Sequence, residues 1–234
     1  MDKLNLDQHI SRQFNEDLEA IKTSMLEMGG LVELQVGDAI RALEDADSGL
    51  AEKVIEVESR IDEMEMNIDE TCTTLIARRQ PAASDLRLVM AVSKTVRDLE
   101  RIGDEAQKIA KMAIKLSEEG SAPRGYIEVR HIGNCVRKML NDSLDAFSRF
   151  DAEAAIDTMK DDRQVDMDYK TALREMITYM MEDPRSISRS VNILWALRSL
   201  ERIGDHSKNI CEYIVYLVQG RDIRHSRLDG ESES

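Results

Sequence analysis

Seven of the eight residues from Arg97 to Asp104 (R-D-L-E-R-I-G-D) recur from Arg198 to Asp205 (R-S-L-E-R-I-G-D), 101 positions later. The chain is a tandem duplication, so its fold must be buildable twice from about half the sequence. Each copy sets a glutamate four residues before an aspartate, Glu100 with Asp104 and Glu201 with Asp205. On a helix, residues four apart share a face, with Cβ atoms about 5–6 Å apart.

Three prolines, 4% aromatic and 33% charged residues among 234 predict long amphipathic helices and no sheet. That length suits one large domain or two of roughly 100–150 residues, and the repeat favours two similar units. The first helix is expected from Asn5 to Ala46, unless Gly29-Gly30 breaks or kinks it. After the turn Asp47-Ser48-Gly49, the second runs from Leu50 to Arg79 on a stripe of Val54, Val57, Ile61, Met64, Ile68, Cys72 and Leu75. The third starts near Ser84, read as its N-cap, and stops at Gly120. Ser121-Ala122-Pro123-Arg124-Gly125 is the boundary. Helices at Tyr126–Phe150, Ala152–Met181 and Arg185–Gln219 repeat the plan, Asp183-Pro184 opening the last. The expected architecture is therefore all-α, two tandem three-helix bundles over residues 1–120 and 126–220. A tail over 221–234 is expected to be disordered past Leu228.

The duplication also reaches the second helix of each unit. Asp38-Ala39-Ile40 answers to Asp142-Ser143-Leu144 with an offset of 104, and the same offset carries Glu58 and Asp62 onto Asp162 and Asp166. The fall to 101 predicts a second connection three residues shorter. Each acidic pair follows the apolar seam by one residue, about 100° round the helix, so two neighbouring helices offer four carboxylates to each other at the bundle rim. Two readings stand. The carboxylates form ordinary surface ion pairs, Glu100 with Arg97 or Arg101 and Glu201 with Arg198 or Arg202. Alternatively, Glu58, Asp62, Glu100 and Asp104 hold one cation, and Asp162, Asp166, Glu201 and Asp205 another. Oxygen ligands suit a divalent or trivalent ion such as Mg²⁺, Mn²⁺, Ca²⁺ or iron rather than zinc. Gly103 and Gly204 within the repeats point to close approach of backbone or ligand. Asp161 and Asp168 enrich the second site in acid.

Other chemistries are poorly served. A net charge of −14 opposes binding to nucleic acid or an anionic membrane. Cys72, Cys135 and Cys211 lack disulfide or zinc spacing and are expected as reduced core thiols. The start shows no secretion signal and no apolar run spans a bilayer, so a cytoplasmic protein is expected. His206 follows Asp205 and is read as a surface histidine or an extra ligand; His9, His131 and His225 have no partner constellation. No phosphate-binding loop, nucleophile elbow, zinc-protease helix or dinucleotide fingerprint occurs, so no enzyme is expected. A metal-dependent hydrolase or a metal-storage bundle is the alternative.

The double L-E-R-I-G-D motif, the opening His9-Ile10-Ser11-Arg12-Gln13-Phe14 with Leu26-Glu27-Met28-Gly29-Gly30-Leu31-Val32, and the closing Arg221-Asp222-Ile223-Arg224-His225 together resemble the PhoU family. The resemblance covers nearly the whole chain. It implies two similar three-helix bundles, metal on the repeated acidic motifs, a homodimer, and negative regulation of the phosphate-starvation response. It also implies two partners, the phosphate sensor histidine kinase and the ATPase subunit of the phosphate ABC transporter, which would be the route to any membrane.

Overall fold

Two features of local chemistry shape the helical hairpins. Ala46 and Phe150, 104 positions apart, both adopt left-handed backbone (φ 52° and 53°), and each is followed by an extended aspartate. Asp47 accepts a hydrogen bond from Leu50 N at 2.9 Å; Asp151 accepts from Glu153 N and Ala154 N at 3.1 and 3.0 Å. Each carboxylate satisfies amides that the first turn of a helix leaves bare. The duplication is thus preserved down to backbone dihedrals.

A computed structural model describes residues 12–118 and 126–223. Its helices are α1 (Arg12–Asp45), α2 (Ser48–Arg79), α3 (Ala83–Glu118), α4 (Tyr126–Arg149), α5 (Ala152–Glu182) and α6 (Ile187–Gln219), with a 3₁₀ turn at Pro184–Ser186. Helices α1–α3 form one up-down-up bundle and α4–α6 the other. Gln80–Ala82 connect α2 to α3, whereas α5 passes through Asp183 alone into the 3₁₀ turn that leads to α6. The expected helix start at Asn5, the stop at Gly120, the 121–125 boundary and the tail beyond Ile223 fall outside the described residues.

The first helix runs unbroken through Gly29-Gly30, and Gly29 is buried where Leu144 of α4 crosses, its Cδ2 only 2.7 Å from where a Cβ would stand. Two expectations need correction. Ser84 lies inside α3, which begins at Ala83. The α2 stripe is rotated: Val57 and Met64 are only partly buried, and Glu58 is buried among Val54, Ile61 and Ile68. The apolar stripe of α3, formed by Val92, Val96, Leu99, Ile102, Ala106, Ile109, Ala113 and Leu116, is buried throughout.

The two bundles do not stand apart. Equivalent helices pack on each other, α3 on α6 and α1 on α4. Both pairs run antiparallel. Glu44 meets Arg130 while Glu33 meets Asn141, and Arg87 reaches Leu217 O while Glu105 meets Arg202. Like helices crossing antiparallel relate the halves by a local two-fold. Faces of α3 and α6 that a lone bundle would leave in solvent are consequently buried, carrying Asp98, Glu105, Ser199 and Ser207 inward. Among the described residues no helix is long and apolar enough to cross a membrane.

Candidate metal centres

In the first unit the antiparallel α2 and α3 bring Glu58, Asp62, Glu100 and Asp104 into one electrostatic field. Glu58 is 7% exposed. Gln35 Nε2 donates to Glu58 Oε2 at 2.8 Å and to Val54 O at 3.2 Å, whereas Glu58 Oε1 is buried with no hydrogen-bond partner. Burial pushes the Glu58 carboxyl above its ordinary range; the Gln35 bond opposes this, and Asp104, Asp62 and Glu100 add to it. Burial likewise raises Glu100, with Arg101 opposing and Asp104, Glu65 and Asp62 adding. Gly103 is what lets the helices close here. A Cβ on it would stand 3.1 Å from Gln35 Oε1, 3.3 Å from Ile61 Cδ1 and 3.4 Å from Glu58 Oε1.

The second unit is built from the same positions with different compensation. Lys208 Nζ donates to the buried Asp162 at 2.6 Å, and Arg198 Nη1 to Glu201 at 2.5 Å. Glu201 Oε2 is buried without a partner. Burial raises Glu201, as do Asp205 and Asp166, against Arg198; burial also raises Asp205, reinforced by Asp162 and Asp166. In the first unit Gln107 stands where Lys208 does, so compensation there falls to Arg101, 3.4 Å from both Glu100 and Asp104.

The ion-pair reading thus accounts for Glu100 with Arg101 and Glu201 with Arg198, and leaves an orphaned buried oxygen in each cluster. A hard cation would satisfy both oxygens, so the residues fit such an ion. No three of the eight carboxylates bring oxygens within 4.8 Å of one another as they stand. Glu65 extends the first rim; its carboxyl too is raised by burial and by Asp69, against Arg97. Sequence reasoning missed it because its counterpart 104 positions on is Tyr169.

Residues assigned to other roles also move. His206 is neither a surface histidine nor a rim ligand. Its Nδ1 lies 2.7 Å from Asp98 Oδ1, which also accepts from Asn209 at 3.0 Å, while Asp98 Oδ2 accepts from the Tyr213 hydroxyl at 2.8 Å. Asp98 therefore ties α3 to α6. Asp161 binds Lys138 at 2.9 Å rather than joining the rim. Cys72 and Cys211 are buried thiols, the former pushed up to about 12 by burial, but Cys135 is half-buried. His131, expected to have no partners, lies with Cys135 and Asp168 in a group whose ligand atoms fall within 4.8 Å of one another. The signal was present as His131 and Cys135 four apart, preceded by Glu128 in the chain's one E-x-x-H on α4.

Comparison with known proteins follows the same outline. The PhoU domain family model matches twice, over residues 25–113 and 129–214. The chain is 62% identical over 228 residues to the phosphate-specific transport system accessory protein PhoU homolog of Pseudomonas aeruginosa, covering 97% of this chain and 94% of that one. It is 48% identical to the phosphate-specific transport system accessory protein PhoU of Escherichia coli, covering 96% and 93%. Among solved structures, PhoU from Pseudomonas aeruginosa superposes with a TM-score of 0.88 at 63% identity, over 89% of this chain and all of that one. The phosphate transport system regulatory protein PhoU from Streptococcus pneumoniae superposes at 0.83 with 34% identity, over 90% and 99%. A doubled acidic helical bundle, a doubled family match and close relatives along almost its whole length agree that the chain belongs to the PhoU family.

Proposed function

We propose that this protein is an accessory regulator of phosphate transport that represses the phosphate-starvation response when phosphate is plentiful. It does so as a homodimeric adaptor between the ATPase subunit of the phosphate ABC transporter and the phosphate sensor histidine kinase. The observation that carries the regulatory part is the 62% identity, along 97% of the chain, to a relative named for the phosphate-specific transport system. The absence of a recognisable catalytic motif in the sequence supports an adaptor over a hydrolase.

The acidic rims are the proposed control points. Glu58, Asp62, Glu100 and Asp104 would hold one hard ion, and Asp162, Asp166, Glu201 and Asp205 a second. Such an ion supplies positive charge to carboxylates that burial and mutual repulsion otherwise penalise. The protein's own residues do the positioning. Gln35 fixes one oxygen of Glu58 and leaves the other unpartnered, while Arg198 does the same for Glu201. Phosphate, an anion, would approach such a rim only through a bridging metal or through Arg97 and Arg198.

The test is a reporter of phosphate-starvation genes in phosphate-rich medium, in a strain whose own gene carries Glu58→Gln and Glu100→Gln or Glu201→Gln and Asp205→Asn. Derepression is expected with helical circular dichroism intact and less metal by elemental analysis. Full repression by a folded, metal-depleted variant would move the function to another surface.

A further inference from the structure

The chain carries a metal-ligating group whose chemistry differs from that of the acidic rims. His131 and Cys135 are one turn apart on α4, and Asp168 reaches them from the antiparallel α5. One ligand atom from each lies within 4.8 Å of the other two. Nitrogen and sulfur ligands at about 2.0–2.3 Å in a tetrahedral shell sit about 3.4–3.7 Å apart. Metal binding would draw the ligand atoms together by no more than about 1.4 Å from that 4.8 Å bound.

The surroundings hold the group for this purpose. His131 Nε2 already lies 3.0 Å from Asp168 Oδ2, and Gln164 Nε2 donates to the other oxygen, Oδ1, at 2.8 Å. A ligating carboxylate steered by an outer hydrogen bond is the usual support of a metal shell. Lys138, three residues beyond Cys135 on α4, is held by Asp142 and Asp161 at 2.9 Å each rather than by Asp168. A cleft of about 210 Å³ opens beside the group, with His131 and Asp168 in its wall together with Glu128 and Glu175. It gives an ion an entry path and a fourth position for water or a carboxylate. His131 is exposed and Cys135 half-buried, so both ligands are reachable from solvent.

We propose that His131, Cys135 and Asp168 form a three-ligand site for one borderline divalent cation of the zinc type. A nitrogen, sulfur and oxygen set selects such metals, whereas the all-carboxylate rims select hard ions. The equivalent positions of the first unit, 104 residues earlier, are Glu27, Leu31 and Met64, so the site belongs to the second unit alone.

Cobalt(II) titration of the reduced full-length chain is the experiment, because a cobalt–thiolate bond gives a near-ultraviolet charge-transfer band that carboxylate sites lack. One equivalent is expected to develop the band, and Zn²⁺ to abolish it by displacement. Cys135→Ser should remove the band, and His131→Ala or Asp168→Asn should weaken binding at least tenfold with circular dichroism unchanged. Saturating Mg²⁺, which occupies hard-oxygen sites, should leave the band in place, keeping this result separate from the fate of the rims. As a check in the unaltered protein, Zn²⁺ should slow alkylation of Cys135 at least tenfold. No band, a band that survives Cys135→Ser, or binding unmoved by loss of His131 would overturn the site.

Discussion

Gly103 and Gly204 occupy the same place in the repeated motif and face different neighbours. A Cβ on Gly103 would press at 3.1 Å on Gln35 Oε1, which cannot easily retreat while Gln35 Nε2 is bound to Glu58; on Gly204 it would meet Val165 and Val136 at 3.5 and 3.6 Å, ordinary contact. Gly103→Ala should therefore destabilise the protein by about 1 kcal/mol, overpacking outweighing the helix gain. Gly204→Ala should stabilise it by up to about 1 kcal/mol. Urea unfolding of the two variants checks the contrast, and equal signs would refute it. The buried carboxyls supply a pH signature. Glu58 and Glu201 are raised above 4.5, so the stability they contribute is complete below that value and is lost as pH rises through their folded-state values. With chelator present, the Glu58→Gln/Glu201→Gln double variant should lose less stability than the parent between pH 4.5 and neutrality; parallel curves would count against it. The sequence made these acids visible because they recur at fixed offsets. It could not show that Glu58 lies within the seam, since that depends on where Gln35 of another helix arrives.

At the level of elements, the breaks between helices were the most legible part. The turn expected at Asp47 is there, although Asp47 is itself the cap of α2, as its counterpart Asp151 is of α5. The Asp183-Pro184 pair opens a 3₁₀ turn from which α6 starts at Ile187 rather than Arg185. Asp151→Ala should cost about 1 kcal/mol, read as a lower urea midpoint with an unchanged slope, because two first-turn amides lose their acceptor. Ser84 misled because a serine ahead of an apolar stripe is a common start signal, yet α3 begins at Ala83, which follows the left-handed Gln80 by three residues. Periodicity alone also hid the second buried face of α3. Ala91, Thr95 and Asp98 are small or polar and lie off the apolar stripe, yet they are buried, and Asp98 bonds to α6. A helix covered on two sides can use small residues on one of them, and hydropathy does not distinguish that from exposure.

For the molecule as a whole, Asp98 is a three-way link between the halves, accepting from Asn209 and Tyr213 and paired with His206 across the α3–α6 contact. Removing a buried acceptor while its donors remain is costly, so Asp98→Ala should lower stability by about 3 kcal/mol. Its unfolding should also lose cooperativity, with α5 and α6 amides exchanging differently from those of α2 and α3. A single sharp transition at the parent midpoint would show that the halves are joined elsewhere. The antiparallel crossing of like helices has a further meaning. Two separate copies of a single three-helix chain meeting about a two-fold would make this same self-complementary contact, each residue near the axis facing its own twin. Joining the copies end to end freed those twins to differ. The twin of Asp98 is the buried Ser199, and the twin of Glu105 is His206, so an aspartate that would once have met an identical partner's surface now meets a histidine that only the other half carries. Gene fusion, on this view, turned a symmetric handshake into a lock with a separate key.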